Sequence, residues 1–211
     1  IIGSIIDYLY APDNPEKVIK KLIDPAIRIV SLTITEGGYS FDRATGEFDP
    51  NTPGVKEDLV DSKLPKSAFG FIYEGLKKRM ELGIPAFTVQ SCDNIQGNGD
   101  VAKKMMVAFA KLKDPGFAAW MESNVAFPNS MVDRIVPGTE ARHLELAKSR
   151  IGLTDLAPVP CEKFSMWAVE DNFISGRPDW QDVIFTNQVH EFEQMKLMLL
   201  NGSHSLLAYL G

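Results

Sequence analysis

The sequence predicts an α/β fold built on a parallel sheet, passing into a more helical part towards the C-terminus. Three observations carry this. Short β-rich runs alternate with amphipathic helical stretches at the spacing of βαβ units. Polar residues gather just after those runs, where open α/β sheets collect ligands. From Thr139 onward helical patterns predominate.

The elements follow in order. The apolar run Ile5–Tyr10 precedes Asp13-Asn14-Pro15-Glu16, which opens a helix. Asn14 is its N-cap, and Pro15, with φ preset and no N–H to satisfy, takes the first helical position. The helix runs to about Leu22. Arg28–Thr35 (Arg-Ile-Val-Ser-Leu-Thr-Ile-Thr) is β-rich enough for a strand, and Glu36-Gly37-Gly38 ends it. Residues 39–64 are polar, punctuated by Gly and Pro and without clear period, so a long surface excursion is expected. Ser67–Leu82 has amphipathic helical spacing, Ala86–Ser91 reads as a strand and Gly99–Leu112 as a helix. Asp114-Pro115 caps a further helix to about Ser123, and Glu140–Ser149 and Glu191–Leu210 complete the helices. The α/β part is expected to give way to the helical part between residues 150 and 190. We place the division at 1–155 and 156–211.

Composition removes several classes of function. Of 211 residues, 45% are hydrophobic and 24% charged, which is ordinary for a globular chain. The net charge of −6 and the lack of a basic stripe argue against nucleic acid or an anionic membrane surface as partner. Lys20-Lys21, Lys77-Lys78 and Lys103-Lys104 are isolated pairs explained by solvated helix faces. Cys92 and Cys161 form no C-x-x-C pair and suit a reducing compartment, so a cytoplasmic location is expected. No apolar stretch reaches about 18 residues, so no membrane span is expected. The N-terminus lacks both an initiator methionine and the features of a secretory leader, and the chain is expected to begin inside a larger protein. Oligomeric state is left open, a monomer included.

The strongest chemical pattern is Met195-Lys196-Leu197-Met198-Leu199-Leu200-Asn201-Gly202-Ser203-His204. At about 100° per residue an α-helix places Asn201 roughly 140° and His204 roughly 80° round from Lys196, with Leu197 and Leu200 in the same arc. A lysine held against leucines is partly desolvated, which favours its neutral, basic form. An amide and an imidazole beside it orient an oxygen-bearing substrate. Taken alone, Lys196 reads as a helix lysine whose head reaches water. The matches at Asn201 and His204 turn it into a site residue. His143 and His190 have no such company and read as structural.

Two further segments carry polar residues where strands end. Asp93 and Asn94 follow the Ala86–Ser91 strand, although Asn94 also suits a helix cap. Asp133-Arg134 is embedded between Val132 and Ile135, costly unless the charges are paired or used. No His, Cys and carboxylate set has zinc spacing, so no metal is expected.

Three sets of residues together carry a family resemblance: Ser91-Cys92-Asp93-Asn94 with Asn98-Gly99; Phe127-x-x-Ser130-x-Val132-Asp133-Arg134-Ile135-x-Pro137; and Lys196-x4-Asn201-x2-His204. With these the chain resembles the mannitol dehydrogenase family of long-chain polyol-specific dehydrogenases, most nearly its fungal members. The resemblance covers essentially all 211 residues. It implies the second part of a Rossmann-like dinucleotide-binding domain followed by the start of a mainly helical substrate domain. One departure is large. The Gly-x-Gly-x-Phe-His-Arg loop that family members carry on their first βα turn is not in this sequence, nor is the long helical domain after the lysine motif. Gly97-Asn98-Gly99-Asp100-Val101-Ala102 does fit G-x-G-x-x-A, but a turn joining strand to helix is its better reading.

The resemblance implies NAD as cofactor, with NADP left open, and a small polyol or ketose as substrate. Lys196 would take the proton from the C2 hydroxyl as hydride leaves C2. Asn94 and Asn201 would donate to the oxygen as charge develops on it. His204 would bind a substrate hydroxyl, Asp133 would tune the lysine, and Arg134 would lie at the substrate. Thr35, Glu36 and Asp93 would lie near the nicotinamide end of the cofactor. Two rivals stand beside this reading: a fructuronate- or tagaturonate-type sugar-acid reductase using the same lysine, and a binding or assembly module that has lost turnover. The isolated chain is expected to be inactive.

Overall fold

The computed structural model describes residues 4–42, 44–60 and 64–210. Helix α1, Pro15–Leu22, starts as expected: Asn14 Oδ1 accepts from Lys17 N at 3.0 Å. Strand β1, Ile29–Leu32, pairs in parallel with β2, Thr88–Ser91, in the register Val30↔Val89 and Leu32↔Ser91. Val89 N also donates to Ala126 O at 3.0 Å, so the buried 125–127 segment lies along the other edge of β2.

Two helices cover one face of this sheet. Helix α3, Ala68–Glu81, is capped by Ser67, whose Oγ accepts from Gly70 N at 3.1 Å. Helix α4, Asn98–Lys113, leads into α5, Pro115–Asn124, through Asp114, whose Oδ1 accepts from Phe117 N at 3.0 Å. The core forms where Phe69, Tyr73, Leu76, Met105 and Phe109 meet Leu32 and Val89 of the strands. One buried cation ties this layer together. Arg79 donates to Leu22 O (2.6 Å), Asp24 O (2.5 Å), Ile27 O (2.6 Å) and Pro85 O (2.7 Å), and lies over the Phe87 ring. The end of α1, the turn into β1 and the entry to β2 are thus fixed by one guanidinium.

Three expectations change. The strand foreseen at Arg28–Thr35 spans only Ile29–Leu32, since the Ile34 and Thr35 N–H groups go to the Asp93 carboxylate before the 3₁₀ helix Glu36–Tyr39 begins. Residues 39–64 are not simply a surface excursion. Tyr39 and Val55 are buried, α2 spans Val55–Val60, and buried Asp58 accepts from Lys66 N, Ser67 N and Ser67 Oγ. Lastly, helices do predominate after Thr139, but the region is not helical alone. Besides α6, Ala141–Ile151, it supplies two strands to a second sheet. There β3, Ser130–Asp133, pairs antiparallel with β4, Met166–Val169, and β4 pairs in parallel with β5, Ile184–Phe185. The β3–β4 pairing spans the 155/156 position.

The last helical stretch begins as α7, Val189–Met195, continues as a π-helical turn over Lys196–Asn201 and ends as α8, Gly202–Leu210. Gly202 N bonds to Leu197 O, five residues back. The uniform α-helix expected over Glu191–Leu210 is therefore interrupted at the lysine. Among the described residues no helix is long and apolar enough to cross a membrane.

Candidate active site

Helix α7 docks on the second sheet through Val189, buried against Met131 and Ala168. This brings Lys196 over the carboxyl end of β2, where its Nζ donates to Asn94 Oδ1 at 2.8 Å and to Val132 O at 2.6 Å. The contact with Asn94 spans 102 residues of sequence. A pocket of about 150 Å³ opens at this junction, lined in part by Asp93, Asn94, Ser130, Val132, Glu193, Lys196 and Asn201. The π turn explains how Asn201 comes to share it. Hydrogen bonds of the i→i+5 type bring residues five apart closer to one face than an α-helix would. The 140° separation expected from α geometry therefore does not apply between Lys196 and Asn201.

Asp93 is fully employed by the chain. Its Oδ1 accepts from Thr35 N at 2.8 Å, and its Oδ2 from Ile34 N at 3.0 Å and Tyr39 Oη at 2.7 Å. Since the Tyr39 proton goes to Asp93, the Ser91 hydroxyl donates to Tyr39 Oη across 2.6 Å. Burial, with the Asp93 charge adding to it, pushes the Tyr39 phenol well above its usual range and keeps that proton in place. These bonds hold Thr35 at φ 60°, ψ 169°, a conformation costing a β-branched residue about 1–3 kcal/mol. Such strain persists only where the surroundings enforce it, and here they shape the backbone at the carboxyl end of β1, beside the pocket.

The Gly97-Asn98-Gly99 turn is the expected strand-to-helix junction, between β2 and α4. Gly97 adopts φ +60°, and its N–H goes to Glu193 Oε1 at 2.9 Å. Gly99 N and Asp100 N go to Asn129 Oδ1 at 2.8 and 3.1 Å. The amides that a pyrophosphate would use at a helix N-terminus are thus already taken.

Other expected residues lie further out. Asp133 is half-buried at the end of β3 and does not line the pocket. Arg134 is exposed and gives its guanidinium to Glu162 O, and no ion pair joins it to Asp133 among the described residues. The cost expected of a buried Asp133-Arg134 pair does not arise, because Arg134 reaches solvent. His204 is exposed on α8, outside the pocket lining. Glu36 is exposed at the start of the 3₁₀ turn. His143 caps α6, its Nδ1 accepting from Glu140 N at 2.9 Å. Sequence reasoning missed Glu193, the Val132 carbonyl and Tyr39. Glu193 stands three residues before Lys196, which at helical spacing shares its face, and that signal was available. A backbone carbonyl leaves no trace in a sequence.

A family model described as the mannitol dehydrogenase Rossmann domain matches residues 1–182. The chain is 48% identical over 214 residues to D-mannonate oxidoreductase of Escherichia coli (strain K12), covering 100% of this chain and 44% of that protein. It is 44% identical over 218 residues to mannitol 2-dehydrogenase of Aspergillus fumigatus, covering 100% of this chain and 43% of that protein. Among solved structures, Pseudomonas fluorescens mannitol 2-dehydrogenase in ternary complex with NAD and D-mannitol superposes with a TM-score of 0.92 at 49% identity. That match covers 100% of this chain and 43% of the other. Substrate-free D-sorbitol dehydrogenase also superposes at 0.92, with 45% identity over 96% of this chain and 42% of its own. The chain spans under half the length of the relatives it matches. Its two parallel strands, their covering helices and this extent of similarity show that the chain belongs to the mannitol dehydrogenase family and carries its Rossmann-type fold.

Proposed function

We propose that this chain is part of an NAD-dependent oxidoreductase that interconverts D-mannitol and D-fructose at C2, with Lys196 as general base. The observation that carries the reading is the lysine itself. Its Nζ is held between Asn94 Oδ1 and Val132 O at a pocket beyond the carboxyl ends of two parallel strands. The nicotinamide end of the cofactor fits the strained Thr35 backbone and Glu36 at the end of β1, with Asp93 holding that backbone rather than offering a free carboxylate. The occupied amides at the head of α4 leave no seat for its pyrophosphate there. When bound, the cofactor accepts the hydride that leaves C2.

The residues of the chain supply the rest. Lys196 Nζ takes the C2 hydroxyl proton as the C–O bond gains double-bond character. Asn94 has its Oδ1 committed to the lysine, so its Nδ2 is left to donate to the oxygen as charge develops. Asn201, which also lines the pocket, adds a second amide. Asp133, next to Val132, bears on the lysine through its charge, and His204, three residues past Asn201, binds a substrate hydroxyl. Arg134, engaged by Glu162, takes no part in this reading.

A sugar acid is the second candidate substrate, favoured by the 48% identity to D-mannonate oxidoreductase. Comparing turnover of D-mannitol and D-mannonate, each with NAD and NADP, by the full-length protein separates the two. For the base, Lys196→Ala should lower oxidation by about 10²–10⁴ while leaving NADH binding nearly intact, with partial rescue by added primary amine. Retention of more than about a tenth of the rate would move the base elsewhere, Asp133 and His204 first. The 211 residues alone should give no more than trace turnover.

A further inference from the structure

Lys196 Nζ is held by two acceptors that belong to different layers. Asn94 stands on the loop after β2, and Val132 lies in β3. Strand β3 pairs with β4, and β2 with β1, so no ladder between β2 and β3 sets the distance between these acceptors. Beyond the Val89–Ala126 bond along the edge of β2, a side chain does so at the level of the site. Asn98 is fully buried, and its Nδ2 donates to Asp93 O at 3.0 Å, to Ser130 O at 2.8 Å and to Ser130 Oγ at 3.2 Å. Its Oδ1 accepts from Ser130 N at 2.8 Å, and Ser130 Oγ in turn donates to Ser91 O at 2.7 Å. The amide thus grips the residue just before Asn94 and the residue two before Val132. An asparagine side chain has the donors and acceptor of a peptide group, and here it closes a gap that the two sheets leave open. A buried amide is costly unless its bonds are made, and all of these are.

We propose that Asn98 is a positioning residue of the lysine site: by fixing the loop of Asn94 against the strand of Val132, it sets where Lys196 Nζ stands. Its catalytic meaning rests on the reading of Lys196 as a base, whereas the positional relation does not. In the full-length enzyme, losing it should lower kcat on the order of 10²-fold, the size of effect that displacing a catalytic group by about 1 Å produces, with cofactor affinity held.

The test follows lysine Cε and Nζ resonances in the full-length protein labelled at lysine, with Lys196→Arg to assign the signal. Asn98→Ala should move the Lys196 signal. Ser130→Ala, which keeps the backbone bonds, should move it less, and Ser130→Thr should restore it. Lys77, paired with Asp114, and Lys104, paired with Glu47, are the controls and should stay in place. The proposal is overturned if Lys196 is unmoved in these variants, or if all three lysines move together as in general loosening. If Asn98→Ala does not fold, the Ser130 pair decides. An active Lys196→Ala enzyme together with a moved Lys196 signal removes the base assignment and leaves the positioning relation standing.

Discussion

Glu193 Oε1 accepts from Gly97 N at 2.9 Å, so the helix that runs into Lys196 is tied directly to the loop that carries Asn94. The carboxylate is buried, and its other oxygen lies 3.6 Å from His190 Nδ1. Glu193→Ala strands the Gly97 N–H and should destabilise the chain by about 1–3 kcal/mol, whereas Glu193→Gln keeps a carbonyl acceptor and should retain most of the stability. Urea midpoints of the three proteins check this. Equal midpoints for Glu193→Ala and the unaltered chain would show that the loop is held by other means.

The two pocket asparagines should not be equivalent. Asn201→Ala removes one amide from the pocket and should lower kcat by about 10²–10³, the usual cost of losing one oxyanion donor. Asn94→Ala removes a donor and also the Oδ1 that holds Lys196, so its loss should be larger. Steady-state rates of mannitol oxidation by the full-length variants distinguish the two. Equal losses would mean that the tether to Lys196 contributes nothing to turnover.

Gly99 is required by contact rather than by its φ. A Cβ there would stand 2.5 Å from Phe127 O and 2.6 Å from the Pro128 carbonyl, both backbone atoms that cannot swing aside. Gly99→Ala should therefore cost about 1–3 kcal/mol through overpacking and strain its bond to Asn129. Gly37→Ala, where nothing lies within 4 Å, is the control and should be near neutral. Thermal melts of both variants provide the comparison.

Stability should fall at alkaline pH. Burial, helped by the Asp93 charge, pushes the Cys92 thiol from 9.0 up to about 11, and Tyr39 is raised in the same way from 10.0. Both groups prefer the protonated form when folded. Their contribution is complete below the unfolded value of the thiol and is lost as pH rises through about 9 to 11 and beyond. Urea midpoints at about pH 8 and pH 10.5 should differ, and less so in Cys92→Ala or Tyr39→Phe. At the lower pH a thiol reagent should label exposed Cys161 well before Cys92.

What could be read from the sequence was local. The starts of α1, α3 and α5 are legible because Asn14-Pro15, Ser67 and Asp114-Pro115 act on amides two or three residues away. Strands β4 and β5 are not, since runs as short as Ile184–Phe185 are set by distant partners rather than by period. Tyr39 and Val55 escaped notice because two buried residues in a polar stretch create no pattern. In the site, Lys196 and Asn201 were named from their spacing and Asn94 from its place after a strand, with the family resemblance supplying their roles. That Lys196 touches Asn94, and shares a pocket with Asn201, depends on the docking of α7 and on a π turn within a leucine-rich run that carries no local mark of it.

That π turn makes the helix a spliced object. A π turn amounts to one residue more than an α-helix would place in the same rise. Removing a single leucine between Lys196 and Asn201 would let the segment close as ordinary α-helix with its hydrogen bonds intact. Everything beyond would keep its phase, because the deletion removes the one residue that the wider turn absorbs. Asn201 would then stand four residues from Lys196, still on its face of the helix, and the exposed Leu206, Leu207 and Tyr209 would keep their direction. The turn therefore absorbs one residue of chain length, and straightening it at unchanged length, rather than deleting a leucine, is the change that would carry Asn201 and the apolar side chains of α8 about 100° round.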